Sequence, residues 1–517
     1  MTMVELAPRG RNPFDDTGVE RGPDGVMRYT DRPPSLVHML RASVERDPGA
    51  PAIVEIGGAS LTYRELWERS ARVAGGLSAR GIGRGDRVAI RLPNGTDWAL
   101  AFFGVQLAGA VVVPVNMRFK ESEVSYVIED SSAAFTFEEG AELPDGDPLA
   151  VEDLAPDELA AIFYTSGTTG FPKGAMTSHG NFTSNSESAI RCLNMDRSEG
   201  PTMSTLVSVP LFHVTGCNSQ LIPLLELGGR AEILVNPLDI DGFFTAINEH
   251  GVNQLVSVPA IYHALTRHPR FGELDVSDVH WVSYGGAPIA ESLVRRIQES
   301  FPNARVGNGF GLTESCSLVS FLPHEEAADH ADSVGFAMPV VDIAIDQPDP
   351  DSGVGELLVR GPNVVQGYWN KPDATRETFV DGWLHTGDLA RIDRDGLLYI
   401  VDRAKDMINR GGENVYSLEV ENALAGAPGV GEAAVVGVPD EMMGEKVGAV
   451  IVPAAGGEVD VTAVVAHVAE QIADFKVPQY VALRDEPLPR NPGGKVLKAQ
   501  LRDETDWGEP VRRPKAG

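Results

Sequence analysis

The sequence predicts an α/β protein: a large N-terminal domain of helix-covered parallel sheets with a small β-barrel-like part, followed by a small α+β C-terminal domain. Three observations carry that reading. From Ser35 to about residue 340, short apolar runs alternate with helical stretches, the rhythm of parallel sheets covered by helices. Beyond residue 340, strand-like runs alternate with tight turns, as in an antiparallel or barrel-like part. A charged, then glycine-rich stretch, DRAKDMINRGGENVYS (402–417), reads as a joint before a last compact unit. The expected division is an extended arm over 1–34, a first domain over 35–402, a joint at 403–405, a second domain over 406–507 and a tail over 508–517.

Residues 1–34 are rich in Arg, Asp, Gly and Pro without periodicity, which predicts an extended or mobile arm. LVHMLRASVERD and LTYRELWERSARVAGGLSARGI repeat apolar residues at helical spacing. DRVAIRL and GAVVVPV read as buried strands around the helix TDWALAFFGVQLAG. A short stretch separates SAAFTF from the loop YTSGTTGFPKGA (164–175), so any βα unit between them is small. STLVSVPLF, AEILV, NQLVSV, VHWVSYGG and ARVGNGFG are the next strands, and VDIAID, GELLVRG and LLYIVDR form the barrel-like part. The last unit carries the helix LEVENALAG, the strands EAAVVGVP and VGAVIVP, the helix VTAVVAHVAEQIA and a strand-turn-helix around PRNPGGKVLKAQL.

Apolar residues make up 43% of the 517, ample for real cores, and the length predicts three or four units. A net charge of −31 argues against nucleic acid as the main partner. It also requires that an anionic ligand be held by local cations and backbone N–H groups against an unfavourable overall field. Three scattered cysteines, Cys192, Cys217 and Cys316, suit neither a disulfide framework nor a zinc site and point to a reducing compartment. The N-terminus lacks an apolar signal core, and no uncharged run is long enough to span a membrane. The expectation is a cytoplasmic protein without an integral membrane segment.

The loop at 164–175 concentrates Thr165, Ser166, Gly167, Thr168, Thr169 and Gly170 ahead of one lysine, Lys173. Glycine allows tight turns and close approach, and the hydroxyls and ammonium suit the β- and γ-phosphates of ATP. The spacing from Gly167 to Lys173 matches G-x-x-x-x-G-K-[ST]. Pro172 and Gly174 stand where that motif needs Gly and Ser or Thr, which argues against a kinase or ordinary nucleotide triphosphatase. YGGAP (284–288) is a strand end with a glycine turn and is weak by itself. NGFGLTE (308–314) is sharper: Phe310 offers a face for adenine, Thr313 can bond a phosphate, and Glu314 suits Mg²⁺. Taken alone, Glu314 also reads as an acidic residue at a helix N-terminus. HTGD (385–388) ends in Asp388, by itself a turn residue. PRNPGGK (489–495) sets Lys495 after a Pro/Gly turn, where a lysine is ordinarily a solvated charge.

Together, and in this order, these motifs resemble the adenylate-forming superfamily of acyl-CoA synthetases, peptide-synthetase adenylation domains and firefly luciferase, over roughly residues 35–502. The nearest likeness is to acyl-CoA synthetases and fatty-acid–CoA ligases. The resemblance implies a ligase using ATP, Mg²⁺ and CoA. A carboxylate attacks the α-phosphorus of ATP, pyrophosphate leaves, and the acyl-adenylate is passed to a thiol. Two anions meet in the first step, so preorganised cations are the main lever. By resemblance, Lys173 and Mg²⁺, held by Glu314 and Thr169, serve the leaving pyrophosphate, and Lys495 bridges the carboxylate and the α-phosphate. Gly286, Ala287, Pro288, Asn308, Gly309, Phe310, Gly311 and Thr313 line the nucleotide site with residues 165–170. Asp388 and Arg403 meet the ribose beside Ile400. The small domain is implied to be mobile, swinging about a hinge at 403–405 with Lys405 at the pivot. That motion withdraws Lys495 and brings up Gly411, Gly412 and Glu413 to line a channel for the CoA arm.

Some positions depart from the family's pattern. Relatives usually carry Tyr at Phe310, Thr or Ser at Gly493 and Pro at Ser417, and many carry Trp at Met443. Val477 stands where some aryl-CoA ligases place an Arg for the nucleotide of CoA. The last three bear on how CoA is gripped, not on adenylation.

PLFHVTGCN (210–218) resembles the family's substrate side. No Asp stands there to pair with an α-amine, and a buried zwitterion without a counter-charge is unfavourable, which argues against an amino acid. His213 alone reads as a satisfied core histidine. By resemblance it flanks the carboxylate and the thiol channel and joins Lys495, Lys173 and Glu314 as catalytic. Val214, Cys217, Tyr284, Gly285, Gly309, Ser315 and Leu318 are the expected walls of a largely apolar pocket for a hydrophobic carboxylic acid, whether fatty, aryl or natural-product. Two acceptors stay open, CoA and a carrier-protein thiol, and the resemblance allows a homodimer.

Overall fold

Buried apolar strands need cover on both faces, and the chain supplies it with helices between successive strands. A computed structural model describes residues 6–165, 172–236, 239–287, 289–454, 456–491 and 494–511. The chain divides into two compact units. The first takes Met1–Ala344, Leu358–His385 and Ile392–Tyr399, and the second Ile345–Leu357, Thr386–Arg391 and Ile400–Gly517.

The first unit holds two large sheets. One has nine strands in the order Phe336–Ala337, Ser320–Leu322, Arg305–Phe310, Trp281–Gly285, Gln254–Ser257, Ser204–Val207, Arg230–Ile233, Pro51–Glu55 and Ser60–Thr62. Its six central strands are parallel, and antiparallel strands close both edges. The strand at Ser204–Val207 stops short of the run read from sequence; Pro210, further along that run, has no N–H for a ladder. The other sheet orders Phe135–Glu138, Arg87–Arg91, Val111–Pro114, Leu159–Tyr164 and Gly174–Ser178, parallel except at its last pair. Helix Thr96–Leu107 is buried everywhere except at Asp97, as its lack of a polar face requires.

No helix interrupts 139–158. That stretch lies against helix Tyr63–Ser78 where Gly75 and Gly76 present no side chain. A Cβ on Gly75 would stand 1.8 Å from the Asp147 carbonyl oxygen, and one on Gly76 2.5 Å from the Asp145 nitrogen.

The N-terminal arm is extended but docked. Strands Val19–Arg21 and Met27–Tyr29 pair with each other, and Met27 and Tyr29 are buried. Arg21 meets the buried Asp342 carboxylate at 2.7 and 2.9 Å, Arg360 adds a contact at 2.9 Å and Arg9 one at 4.0 Å.

A third sheet carries Asp342–Asp346, Gly355–Arg360, Trp383–Ile392, Phe379–Val380 and Leu398–Arg403, and the boundary between the units falls within it. This is the barrel-like part. The second unit adds a mainly antiparallel sheet, Glu413–Val415, Ile408–Arg410, Gly444–Pro453 and Val430–Asp440, with Tyr480–Leu483 parallel on Gly444–Pro453. Helices Ser417–Ala425 and Val461–Ala469 cover it over a core that includes Leu424, Val435, Val447, Ile451 and Val464. Among the described residues, no helix is long and apolar enough to cross a membrane.

Candidate active site

In the first unit, the antiparallel pair Leu159–Tyr164 and Gly174–Ser178 flanks the Ser/Thr/Gly loop. Ser166, Gly167, Thr168, Thr169 and Gly170 lie outside the described residues, as does Pro288. On either side of that loop, the Thr165 N–H donates to the Lys173 carbonyl at 2.9 Å and the Lys173 N–H to the Thr165 hydroxyl at 3.4 Å. The half-buried Lys173 ammonium stands 4.9 Å from the centroid of the Tyr368 ring, within cation–π range.

The other end of Tyr368 reaches Glu314. Its hydroxyl donates to Oε1 at 2.6 Å. Burial, and then the neighbouring carboxylate, push the Tyr368 phenol up, so it stays protonated and keeps donating. Glu314 sits in the 3₁₀ turn Thr313–Ser315, whose Ser315 hydroxyl accepts the Leu312 N–H at 3.0 Å. Asn363 donates to the Ser315 and Leu318 carbonyls at 3.1 and 2.6 Å and holds the turn in place. The Glu314 carboxylate is half-buried, has no cationic partner within ion-pair distance among the described residues, and has one oxygen outside any hydrogen bond there. A half-buried carboxylate with an open oxygen fits a hard divalent cation such as Mg²⁺. Thr169, the other expected metal ligand, is outside the described residues.

The remaining nucleotide candidates of this unit cluster at the ends of two paired strands, Trp281–Gly285 and Arg305–Phe310. Gly285 and Gly309 face each other so closely that a Cβ on Gly285 would lie 2.4 Å from the Gly309 oxygen. Gly286 turns with φ +76° and leads into the exposed Ala287. A Cβ on Gly311 would lie 1.5 Å from the Ser317 oxygen, so only glycine fits beneath the turn that presents Glu314. Phe310 is half-buried and Asn308 buried, the latter donating to the Ser333 carbonyl at 3.3 Å.

The acyl candidates separate. His213 is half-buried, 5.1 Å ring to ring from Phe212, and opens the short helix Val214–Gly216, which runs into a π-helical turn at Cys217–Leu221; such turns are frequent at functional sites. Val214 and Cys217 are buried on this segment, and burial pushes the Cys217 thiol well up. Leu318 is half-buried, 3.1 Å from where a Gly309 Cβ would stand. Two other expected wall residues are buried beside them. Tyr284 packs in the core with Val282, Tyr262 and Val294, because alternation along its strand turns it to the helix-covered face. The Ser315 hydroxyl is used within its own turn, donating to the Leu312 carbonyl at 3.0 Å.

The second unit carries the other candidates. Asp388 is buried, and its Oδ1 meets Arg403 Nε at 2.7 Å, so the two expected ribose contacts are neighbours. Ile400 lies on the strand that ends at Arg403. Lys405 is exposed. Gly411 and Gly412 adopt φ +63° and +94°, and Gly411 donates to the Met443 carbonyl at 2.7 Å, leaving this turn and Glu413 exposed. Lys495 is exposed at the end of a turn closed by Asn491, whose side-chain oxygen accepts the Lys495 N–H at 2.9 Å.

Two features of the site were not anticipated from the sequence. Tyr368 lies 54 residues from Glu314, and the available signal was only the aromatic pair in GYW (367–369). In the second unit, buried Asp402 accepts the Ser417 hydroxyl at 2.9 Å and the Ser417 N–H. Lys498 donates to that hydroxyl at 2.6 Å and pairs with Glu421 at 2.7 Å. Proline at 417 could supply neither bond.

The pattern described as AMP-binding enzyme matches residues 40–147 and 137–369, and that described as AMP-binding enzyme C-terminal domain matches 419–495. A feruloyl-CoA synthase of Amycolatopsis sp is 38% identical over 473 residues, covering 87% of this chain and 95% of the relative. A long-chain-fatty-acid–CoA ligase of Mycobacterium tuberculosis is 35% identical over 500 residues, covering 90% and 97%. Among solved structures, the o-succinylbenzoate CoA synthetase of Bacillus subtilis with its acyl-adenylate intermediate superposes with a TM-score of 0.82 at 28% identity, covering 93% of this chain and 100% of that one. The same enzyme with ATP and magnesium ion also gives 0.82, at 29% identity, covering 92% and 100%.

Proposed function

The chain belongs to the AMP-binding enzyme family, and on that premise we propose that it is an ATP-dependent carboxylic acid:CoA ligase. It activates the acid as acyl-AMP with release of pyrophosphate, then forms the acyl-CoA thioester. One observation carries the reading: a carboxylate and an ammonium, Glu314 and Lys173, are held by a single tyrosine without neutralising each other. A metal-bound polyphosphate needs that arrangement. Magnesium at Glu314 and Thr169 supplies charge neutralisation on the polyphosphate. Lys173 holds the leaving pyrophosphate, and Lys495 meets the attacking carboxylate and the α-phosphate. Asp388 and Arg403 orient the ribose, and the strand-end glycines Gly285, Gly286 and Gly309 leave room for the nucleotide. The second unit then turns about 403–405, replacing Lys495 with the Gly411–Gly412 turn and Glu413 at the thiol channel. His213 flanks the carboxylate.

The acid is hydrophobic. The buried positions Val214 and Cys217 and the half-buried Leu318 support an apolar wall, and the relatives named for feruloyl and long-chain fatty acyl groups fit that class. Three buried free cysteines support a reducing, cytoplasmic setting. The test is a panel of acids with ATP and Mg²⁺, read by pyrophosphate and AMP release with and without CoA. Apolar acids should turn over well above α-amino acids, and CoA should drive thioester formation. Adenylate formation without a CoA-dependent product would move the acceptor to a carrier-protein thiol. ADP as product would overturn the reading.

A further inference from the structure

Tyr368 is set more firmly than a packing residue requires. Its backbone is stitched between the two pieces of the phosphate site. Trp369 N donates to Gly174 O at 2.8 Å, Met176 N to Gly367 O at 2.9 Å and Gln366 N to Met176 O at 3.1 Å, which binds the segment to the strand that follows Lys173. On the other side, Val365 N donates to Glu314 O at 3.0 Å. Tyr368 N donates to the Thr375 hydroxyl at 3.0 Å, and the Phe379 ring meets the Tyr368 ring edge-on at 5.6 Å. Gly367 holds φ +128°, and a Cβ there would stand 2.6 Å from Thr375 Cγ2, so the backbone has no slack. The residue is 6% exposed.

Those restraints place one aromatic side chain so that its ring face meets Lys173 at 4.9 Å and its hydroxyl meets Glu314 Oε1 at 2.6 Å. A lysine and a glutamate this close to one tyrosine could instead pair directly. A direct ion pair would have to be broken before either charge could serve a ligand, and breaking a partly buried pair is costly. The ring attracts the ammonium without cancelling its charge. The hydroxyl fixes the carboxylate through one oxygen and leaves the other open.

We propose that Tyr368 is a positioning residue of the nucleotide site: its hydroxyl orients the Glu314 carboxylate toward a divalent cation, its ring seats the Lys173 ammonium, and it keeps the two charges from collapsing onto each other. This rests on the ATP-dependent ligase reading. It assigns the two ends of one side chain to two ligands, the metal and the polyphosphate, and the two ends are separable. Tyr368→Phe removes the hydroxyl and keeps the ring, whereas Tyr368→Leu removes both.

The experiment measures Mn²⁺ binding to the purified protein with ATP, by the paramagnetic resonance of free Mn²⁺, and ATP binding in EDTA by calorimetry. Loss of a hydrogen bond behind a metal carboxylate weakens metal affinity about tenfold. Tyr368→Phe should therefore weaken Mn²⁺ in the ATP complex by that factor while ATP in EDTA stays within about twofold of the parent. Tyr368→Leu should add a loss of roughly fivefold in metal-free ATP affinity, the scale of one cation–π contact. In a Glu314→Gln background, Tyr368→Phe should have no further effect on Mn²⁺, because the hydroxyl acts through that carboxylate. The proposal is overturned if Tyr368→Phe binds Mn²⁺ as tightly as the parent, if it weakens ATP equally with and without metal, or if its effect persists beside Glu314→Gln. Should the parent itself bind no ATP, the ligase reading fails, and the tyrosine's role fails with it.

Discussion

Glu314 and Lys173 in the first unit share a tyrosine and form no ion pair among the described residues, whereas in the second unit Asp388 meets Arg403 at 2.7 Å and Glu421 meets Lys498 at 2.7 Å. Both places bring opposite charges into partly buried ground, and they settle them differently. Paired groups have their desolvation offset before any ligand arrives, so they set shape. Groups held near each other but unpaired keep their field available to a ligand and gain most when it binds. Around Tyr368 the first unit is therefore built to receive charge, whereas these two pairs of the second keep their own parts in order while Lys495 stands exposed.

The largest break in that contrast should come from the exposed lysine. Lys495→Ala should slow pyrophosphate release on the order of 100- to 1,000-fold, while conversion of supplied acyl-adenylate to thioester stays within about threefold of the parent. Equal losses in both half-reactions would mean that the second unit does not exchange roles between steps. Asp388→Ala removes one member of a settled pair and should weaken ATP about tenfold in calorimetry, the scale of a charged hydrogen bond. A loss confined to thermal stability would make the pair purely structural.

Ser417→Ala strips a hydroxyl shared by Asp402 and Lys498. It should cost about 1–2 kcal/mol in urea unfolding, with ATP affinity unchanged. An altered ATP affinity would show that this buried cluster reaches the nucleotide.

A further contrast between the units is a difference of sign with pH. His179, 2% exposed in the first unit, is held down at about 4 by burial, against 6.5 in the unfolded chain. The unfolded chain takes up that proton first, so the stability from this site is complete above pH 6.5 and declines as pH falls toward 4, by up to about 3 kcal/mol. Asp402 and Glu421 in the second unit are raised by burial above 3.8 and 4.5. Their contribution is greatest in acid and is lost as pH rises through the folded values. Amide exchange between pH 6.5 and 4, corrected for its intrinsic rate, should show helix His179–Cys192 losing protection before helix Ser417–Ala425. The reverse order would remove His179 as the cause.

Much of this was legible in the chain because each motif is short and its chemistry is local. The parallel strands announced themselves as uninterrupted apolar runs, and the glycine at 311 and the acid at 314 stood in one heptapeptide. Tyr368 was not legible, since its value depends on contacts with Gly174, Glu314 and Thr375 that only folding brings together. The packing of Tyr284 with Val282, Tyr262 and Val294 follows the two-residue alternation of its strand, a period that the neighbouring glycine motif masks in the sequence. The stretch 139–158 is explained by two glycines on a distant helix. The arm looked loose for the same reason: its Arg, Gly and Pro content says nothing of an acid waiting more than 300 residues away, as the Arg21–Asp342 separation of 321 shows.

That arm constrains how the protein can be trimmed. A version engineered to begin at Ser35 would look economical on paper. It would leave the Asp342 side chain, 3% exposed, with Arg360 as its one remaining counter-ion of the three found among the described residues, and it would uncover the apolar floor beneath Met27 and Tyr29. Expression boundaries and affinity tags therefore belong at the opposite terminus.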